Sequence, residues 1–314
     1  QRLSEWIDQC LAKLKQYTKD IHICGNRNSF SKTDHDATFM HMKEDYMRNG
    51  QLKPGYNVNV ATCSDFIIGS YISSDRNDVH TLIPFMEQLR KNYAGRNIGS
   101  VVVDSGYESE ENYCWFEAHP ETELYVKPSN HEVAKHRKYR TDISRRENMA
   151  YDAQADAYTC ANGKLLQRTR EKKTHTASGL EIATSVYECN ECDGCPLKEK
   201  CIRACGSKKP LEERYKVIYV SKRFARQRQA MEAKISSPKG CLLRVNRSIQ
   251  AEGNFAYVKQ DLDFRRFLLR GNMKVAAEWL LFSLALNILH LHHKIQNRRL
   301  GSDLKIPSSF PAGL

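Results

Sequence analysis

The sequence predicts an α/β fold interrupted by a basic, cysteine-bearing insertion. Strand-like and helix-like segments alternate up to about residue 128, the composition turns basic after Pro128, and a cysteine cluster sits inside the basic stretch. The first segment, residues 3–18, places Leu3, Trp6, Ile7, Cys10, Leu11, Leu14 and Tyr17 at helical spacing, with Lys13 and Gln16 opposite. This is an amphipathic helix, either a coiled-coil or connector segment or, as the first expectation, a helix packed on the body. Residues 25–50 are polar and turn-rich. Two strand-like runs, 56–62 and 66–73, flank a Ser64-Asp65 turn and predict an antiparallel hairpin. Residues 78–92 predict a helix, 100–103 a short buried strand, and 123–127 another strand. Between those strands Ser109, followed by Glu110 and Glu111, caps a helix with the acidic first turn that the macrodipole favours.

Residues 129–148 are dense in His, Lys and Arg, and residues 150–207 hold the cysteines among short strand-like pieces. Residues 211–237 are basic and helical in character. A long helical pattern begins near Asn246, and residues 273–294 form a second helix whose apolar face is broad enough to be largely buried. The divisions expected are therefore a helical segment at 1–24, a core at 25–128, an insertion at 129–240, returning core helices at 241–296 and a disordered tail at 297–314.

The chain has 314 residues and a net charge of +12, from 49 Lys+Arg against 37 Asp+Glu. That surplus favours a polyanionic partner, nucleic acid first. No secretory signal is visible. The longest apolar stretch, 279–291, contains Ser283, Asn287 and His290 and is too short to cross a bilayer, so no membrane partner is expected. Five of the 11 cysteines lie between Cys189 and Cys205, a pattern that suits a metal site in a reducing compartment better than a disulfide framework. Cys189, Cys192, Cys195 and Cys201 are the preferred set for one structural Zn²⁺, with Cys160 as the main competitor, Cys205 as a further candidate and an iron–sulfur cluster as the lesser possibility. Asp193 and Gly194 supply the turn.

Asp104 follows the buried strand at its carboxyl end, where α/β sheets carry ligand chemistry, and Gly106 lets the chain turn there. Alone, it reads first as an aspartate that caps the turn or the next helix. Glu252 lies in a helical pattern with Phe255 and Lys259 along one side, which sets a hard oxygen donor near a phosphate-neutralising cation.

Four motifs in order then define a resemblance: Lys53-Pro54-Gly55-Tyr56-Asn57-Val58; Val103-Asp104-Ser105-Gly106-Tyr107 with Ser109-Glu110-Glu111-Asn112; the run from Tyr187 through Cys189, Cys192, Gly194, Cys195 and Pro196 to Lys198; and Phe264-Arg265-Arg266-Phe267-Leu268-Leu269-Arg270-Gly271. Over about residues 25–295 the chain resembles DDE-class transposases of bacterial insertion sequences. The resemblance implies an RNase H-like mixed sheet with flanking helices, similar to retroviral integrases, with the Cys-rich, zinc-ribbon-like segment inserted. It implies Asp104 as the second catalytic aspartate, Glu252 as the glutamate, and Lys259 as the downstream basic residue. The family's first aspartate sits in an Asp-Gly-Thr/Ser motif that is absent here. That strand is expected upstream of Gln1, which makes the chain a fragment. Asp34 and Asp36 match an Asp-x-Asp-Ala segment that follows it; Asp36 is the fallback for the first role, and an ordinary turn role for both stays open.

The implied reaction is Mg²⁺- or Mn²⁺-dependent cleavage and strand transfer at transposon ends, on double-stranded DNA, by a homo-oligomer in the bacterial cytoplasm near the nucleoid. Arg247, Lys259, Arg265, Arg266 and Arg270, together with the charge runs at 131–146 and 222–228, are expected to meet phosphates. The rivals are a zinc-stabilised DNA-binding relic without catalysis and an RNase H-like nuclease that cuts without joining.

Overall fold

The computed structural model describes residues 2–42, 49–203, 209–301 and 304, so most of the expected disordered tail, and Cys205, lie outside the described residues. The chain divides into two compact units, one formed by residues 1–102 with 238–314 and the other by Val103–Ser237. The second unit thus starts well ahead of the expected insertion boundary at 129.

The first unit opens with helix α1, Arg2–Cys24, none of whose residues is buried. The expected packing of this helix on the body is absent. Arg27 anchors its end, with Nη2 donating to Ile23 O and His35 O, each at 2.8 Å. Strands β1 (Thr38–Met40) and β2 (Lys53–Gly55) pair antiparallel. The predicted hairpin follows as β3 (Asn57–Cys63) and β4 (Phe66–Ser73). Its turn residues Ser64 and Asp65 have φ of 54° and 72°, the left-handed pair that matches the twist of a tight hairpin.

The register slips between Ala61 and Thr62, leaving Ile68 as the extra residue of a bulge. Beyond the bulge the faces exchange, and both are used. Val58, Val60, Ile67 and Ile72 join a core with Val258, Trp279 and Leu286. The other face takes α2 (Leu82–Asn92), which buries Leu82, Phe85, Met86 and Leu89. A Cβ at Gly69 would come within 2.5 Å of Leu89, so α2 can lie this close only on glycine. Strand β5 (Ser100–Val103) then leads to the boundary of the second unit.

In the second unit, α3 (Glu110–Glu117) starts at Ser109, whose hydroxyl accepts from Asn112 N at 3.0 Å. Strand β6 (Glu123–Val126) is almost wholly buried, and the one-turn helix α4 covers Arg137–Arg140. Strands β7 (Ala150–Asp152), β8 (Ala157–Thr159), β9 (Leu165–His175) and β10 (Glu181–Glu188) precede the short α5 (Lys198–Cys201) and β11 (Val217–Val220). These form a five-stranded antiparallel sheet in the order β11-β10-β9-β8-β7. Met149, Leu166, Tyr187, Ile218 and Val220 make its core together with Cys189 and Cys192. Helix α6 (Lys222–Ser236) closes the unit, capped by Ser221.

The chain is thus a mixed α/β protein whose largest sheet among the described residues is antiparallel.

The first unit resumes with α7 (Pro238–Arg247), a mixed helical stretch to Asp261, and the long α9 (Asn272–Gln296), after the one-turn α8 (Gly253–Ala256) inside that stretch. By length and composition alone α9 could cross a membrane, which the shorter stretch read from sequence could not. Its polar residues are nevertheless bound within the unit. Asn287 pairs with both backbone groups of Ile67 at 2.8 Å, and Glu278 accepts from Leu268 N and Leu269 N. Only one face is buried, through Val275, Trp279, Ser283 and Leu286 among others, so the expectation of a largely buried helix does not hold.

Asp156 fixes the β7–β8 turn to the start of α6. It adopts φ +47°, accepts from Lys222 Nζ at 2.7 and 2.8 Å, and takes the hydroxyls of Tyr187 and Tyr151 at 2.7 and 2.8 Å. The Lys222 bond, then that of Tyr187, holds its carboxyl near 2, below the ordinary 3.8. A lowered folded pKa stabilises the protein above the unfolded value and loses that contribution as pH falls. Asp156→Asn, which tolerates the same backbone, is expected to lower the unfolding midpoint above about pH 4, with the difference from wild type vanishing as pH approaches 2. A difference independent of pH in a denaturant titration series would contradict this.

Candidate functional site

The residues 238–261 carry Glu252, and their winding is unusual. Leu242, Asn246, Gln250, Asn254 and Val258 are buried, a repeat of four residues. An α-helix of 3.6 residues per turn carries such a stripe off its own face. The chain corrects the drift with wider π turns at Ser248–Glu252 and Tyr257–Asp261.

The polar members of the stripe grip the β3–β4 turn. Gln250 Oε1 accepts from Asp65 N at 3.4 Å, and Asn254 Nδ2 donates to Asp65 O at 3.3 Å. From α9, His290 pairs with Asn254 Oδ1 at 2.8 Å, and Lys294 stands 3.6 Å from the Asp65 carboxylate. His290 is therefore a structural residue, not a ligand.

Glu252 is left on the open side, its side chain 61% exposed. Arg247 Nη2 donates to one carboxylate oxygen at 2.8 Å and Ser248 Oγ to the other at 3.0 Å. Arg247 and Glu252 are five residues apart, a separation that the π winding turns into a contact. Lys259 is half-buried within the second π turn. Arg265, Arg266 and Arg270 are exposed on the following loop, where Arg265 meets Asp263 at 2.6 Å and Arg270 reaches Thr33 O at 3.4 Å.

Asp104 ends β5 in an extended conformation, exposed, with Oδ1 accepting from Ser105 N at 2.7 Å. The turn-capping geometry is present, and the carboxylate still faces solvent. Asp104 and Glu252 belong to different compact units, and the surroundings of each are those of its own unit.

Asp34 and Asp36 have a structural engagement. Asp36 Oδ2 accepts from Asn272 N at 2.8 Å, and Asp34 Oδ1 from Gly271 N at 3.2 Å, at the amino end of α9. Carboxylates there satisfy open N–H groups and meet the positive end of the helix dipole. Tyr56 completes the cluster, its hydroxyl donating to Asp34 Oδ2 at 2.7 Å. Burial, and then the Asp34 bond, raise the Tyr56 phenol far above its ordinary value.

Cys160, Cys189, Cys192, Cys195 and Cys201 line one small cavity of about 20 Å³, room for a single ion or water. Two tight turns bring them there. Gly163 at φ +72° closes the turn after Cys160, and Gly194 at φ +64° closes the one between Cys192 and Cys195. Lys216 N donates to Cys192 Sγ at 3.4 Å. Burial, with Cys192 and Cys160 nearby, pushes the Cys189 thiol up to about 11, and burial raises Cys201 as well. The thiols surround the cavity without closing to ligand distance: among the described residues no three His, Cys, Asp or Glu side chains form a group that could hold a metal.

The two basic runs are largely engaged inside the second unit. Lys222 binds Asp156, Arg223 Nε lies 2.6 Å from Glu110, and Arg228 forms a two-pronged pair with Glu108 at 2.8 Å. Burial alone would raise the Glu108 carboxyl, yet Arg228 and Ser129 N outweigh it and hold it below the ordinary range. His131 meets Glu232 at 2.6 Å, while Arg145 and Arg203 both meet Asp142. In the first run Arg137, Lys138 and Arg140 are exposed. The signal that sequence reading missed is the four-residue repeat from Leu242 to Val258, which marks the winding that turns Glu252 outward.

Residues 159–292 match the family profile described as Transposase DDE domain. This match supports a DDE-class transposase. It takes in the cysteine cavity, Glu252, Lys259, Arg247, Arg265, Arg266 and Arg270, and it ends short of Asp104 on the amino side. Comparisons with curated proteins and with solved structures give no match.

Asn254→Ala would leave Asp65 O without its side-chain donor and His290 without its acceptor. A loss of about 1–3 kcal/mol in unfolding free energy is expected. An unchanged denaturant midpoint would show that the stripe does not hold the turn.

Proposed function

We propose that the protein is a transposase that cleaves and joins DNA at transposon ends, with Asp104 and Glu252 as two of its metal-holding carboxylates. The observation that carries this reading is Glu252: an exposed carboxylate on a rigidly clamped, π-wound helix within the matched transposase DDE domain. Its hard oxygen donors, like those of Asp104, suit Mg²⁺ or Mn²⁺. When bound, such ions activate the attacking oxygen and stabilise the leaving one.

The residues of this chain have distinct parts. Arg247 and Ser248 hold the Glu252 carboxylate in one orientation. Lys259, Arg265, Arg266 and Arg270 neutralise and orient backbone phosphates. Ser105 N fixes one Asp104 oxygen. Asp34 and Asp36 are engaged at the start of α9, which speaks against either as the first carboxylate of the catalytic set. The RNase H-like arrangement of the core, the double-stranded DNA substrates, action as a homo-oligomer on DNA, and a bacterial cytoplasmic setting at the nucleoid belong to the same proposal.

Cys189, Cys192, Cys195 and Cys201 are proposed to hold one structural Zn²⁺, with Cys160 competing for a place. An all-thiol donor set around a cavity of single-ion size supports it. The ion would replace unfavourable thiol crowding by ligation and tie the two turns together.

In the full-length protein, Asp104→Ala and Glu252→Ala are each expected to reduce strand transfer from a pre-cut end by at least about a hundredfold while leaving DNA binding intact. Retained joining in either variant would refute the assignment. Cleavage without joined product in the wild type would indicate a nuclease, and binding without cleavage a relic. Metal analysis of purified protein is expected to find about one zinc per chain, with a loss of thermal stability on chelation; a metal-free, equally stable protein would remove the zinc assignment.

A further inference from the structure

Helix α1 presents a surface that nothing described in the unit covers. Ile7, Leu14 and Ile21 recur every seven residues, and Leu3, Cys10, Tyr17 and Cys24 form the second series between them. The alternating spacings of four and three are the a/d seam of a left-handed coiled coil. None of these residues is buried, and Leu3, Leu14, Tyr17 and Ile21 are 57–70% exposed. Trp6 and Leu11 flank the seam, 61% and 50% exposed.

We propose that α1 is a dimerisation helix that pairs, parallel and in register, with α1 of a second copy of this chain. The pattern is self-complementary, as an interface between identical chains must be. The a positions are Ile, Leu and Ile, and β-branched residues there favour two parallel strands. In this register Trp6 at a g position faces Leu11 of the partner at e, so both flanking apolar residues are covered along with the seam. Lys13, the next g residue, faces the partner's Thr18, and no like charges oppose. An antiparallel pairing that overlaps the whole seam instead sets Lys13 against the partner's Lys13. Seven large apolar side chains of α1, from Leu3 to Ile21, are 45–70% exposed, and this pairing covers all of them at once. This assembly needs no DNA and stands apart from the catalytic reading.

Sedimentation equilibrium of the full chain without DNA, at tens of micromolar, tests the proposal. A mass twice that of the monomer is expected. Leu14→Asp, at an exposed position that can change without disturbing the fold, is expected to weaken the dimer by at least about a hundredfold. Mild oxidation is expected to yield a Cys10–Cys10 linked peptide, since d residues face each other in a parallel pair. A monomer under these conditions, or a dimer indifferent to Leu14→Asp, would overturn the proposal. A dimer that never links through Cys10 would overturn its parallel register.

Discussion

A hairpin turn held from two directions organises the first unit. The Asp65 backbone is bound by Gln250 and Asn254 of one helix, and its carboxylate by Lys294 of another. Gln250 and Asn254, four residues apart, share the helix face that meets it, and the π turns keep the whole stripe from Leu242 to Val258 on that face. The widening decides which side chains face outward. Glu252 emerges beside Arg247, and the loop bearing Arg265, Arg266 and Arg270 follows. Sequence patterning, turn conformation and helix winding thus converge on one exposed carboxylate, and the proposed chemistry depends on that presentation.

The second unit achieves rigidity differently. Its sheet is small, and much of its order comes from charged pairs: Asp156 with Lys222, Glu108 with Arg228, Glu110 with Arg223. The Glu108 and Glu110 carboxylates are buried, so removing either arginine would leave an uncompensated charge, which is costly. Their effect is to pin α6 against α3 and against the β7–β8 turn. The cysteine cavity lies in the same unit, and burial raises the pKa of the Cys189 and Cys201 thiols. A metal held there would tie the turns after Cys160 and Cys192 together.

Much of the local structure was legible in the sequence. The hairpin and its Ser64-Asp65 turn, the Ser109 cap and the strand before Asp104 all follow from short-range patterns. What was not legible depends on partners far along the chain. Asp34 and Asp36 look like turn residues until Gly271 and Asn272 are placed above them. The run at 222–228 looks like a phosphate-binding surface until Glu108, Glu110 and Asp156 are found opposite. The helix 273–294 was read as largely buried from composition, but Asn287 and Glu278 reveal that only one side is packed. At the site itself, the helical placement of Glu252 is legible from the spacing of Phe255 and Lys259, while the π winding around it shows only in the burial pattern. The cysteines were read as one cluster from spacing, and the cavity gathers five of them; ligation is a further step, which the cavity alone does not supply.

The central claim is the proposed role of Asp104 and of Glu252 in holding the metal ions of strand transfer. Replacing Mg²⁺ with Fe²⁺ in the full-length protein bound to transposon-end DNA, followed by peroxide, cuts the polypeptide beside the bound ion. Cuts are expected next to both residue 104 and residue 252, and Asp104→Ala or Glu252→Ala should each suppress both. Cuts confined to one of the two segments, or surviving either substitution, would contradict the role proposed for both carboxylates.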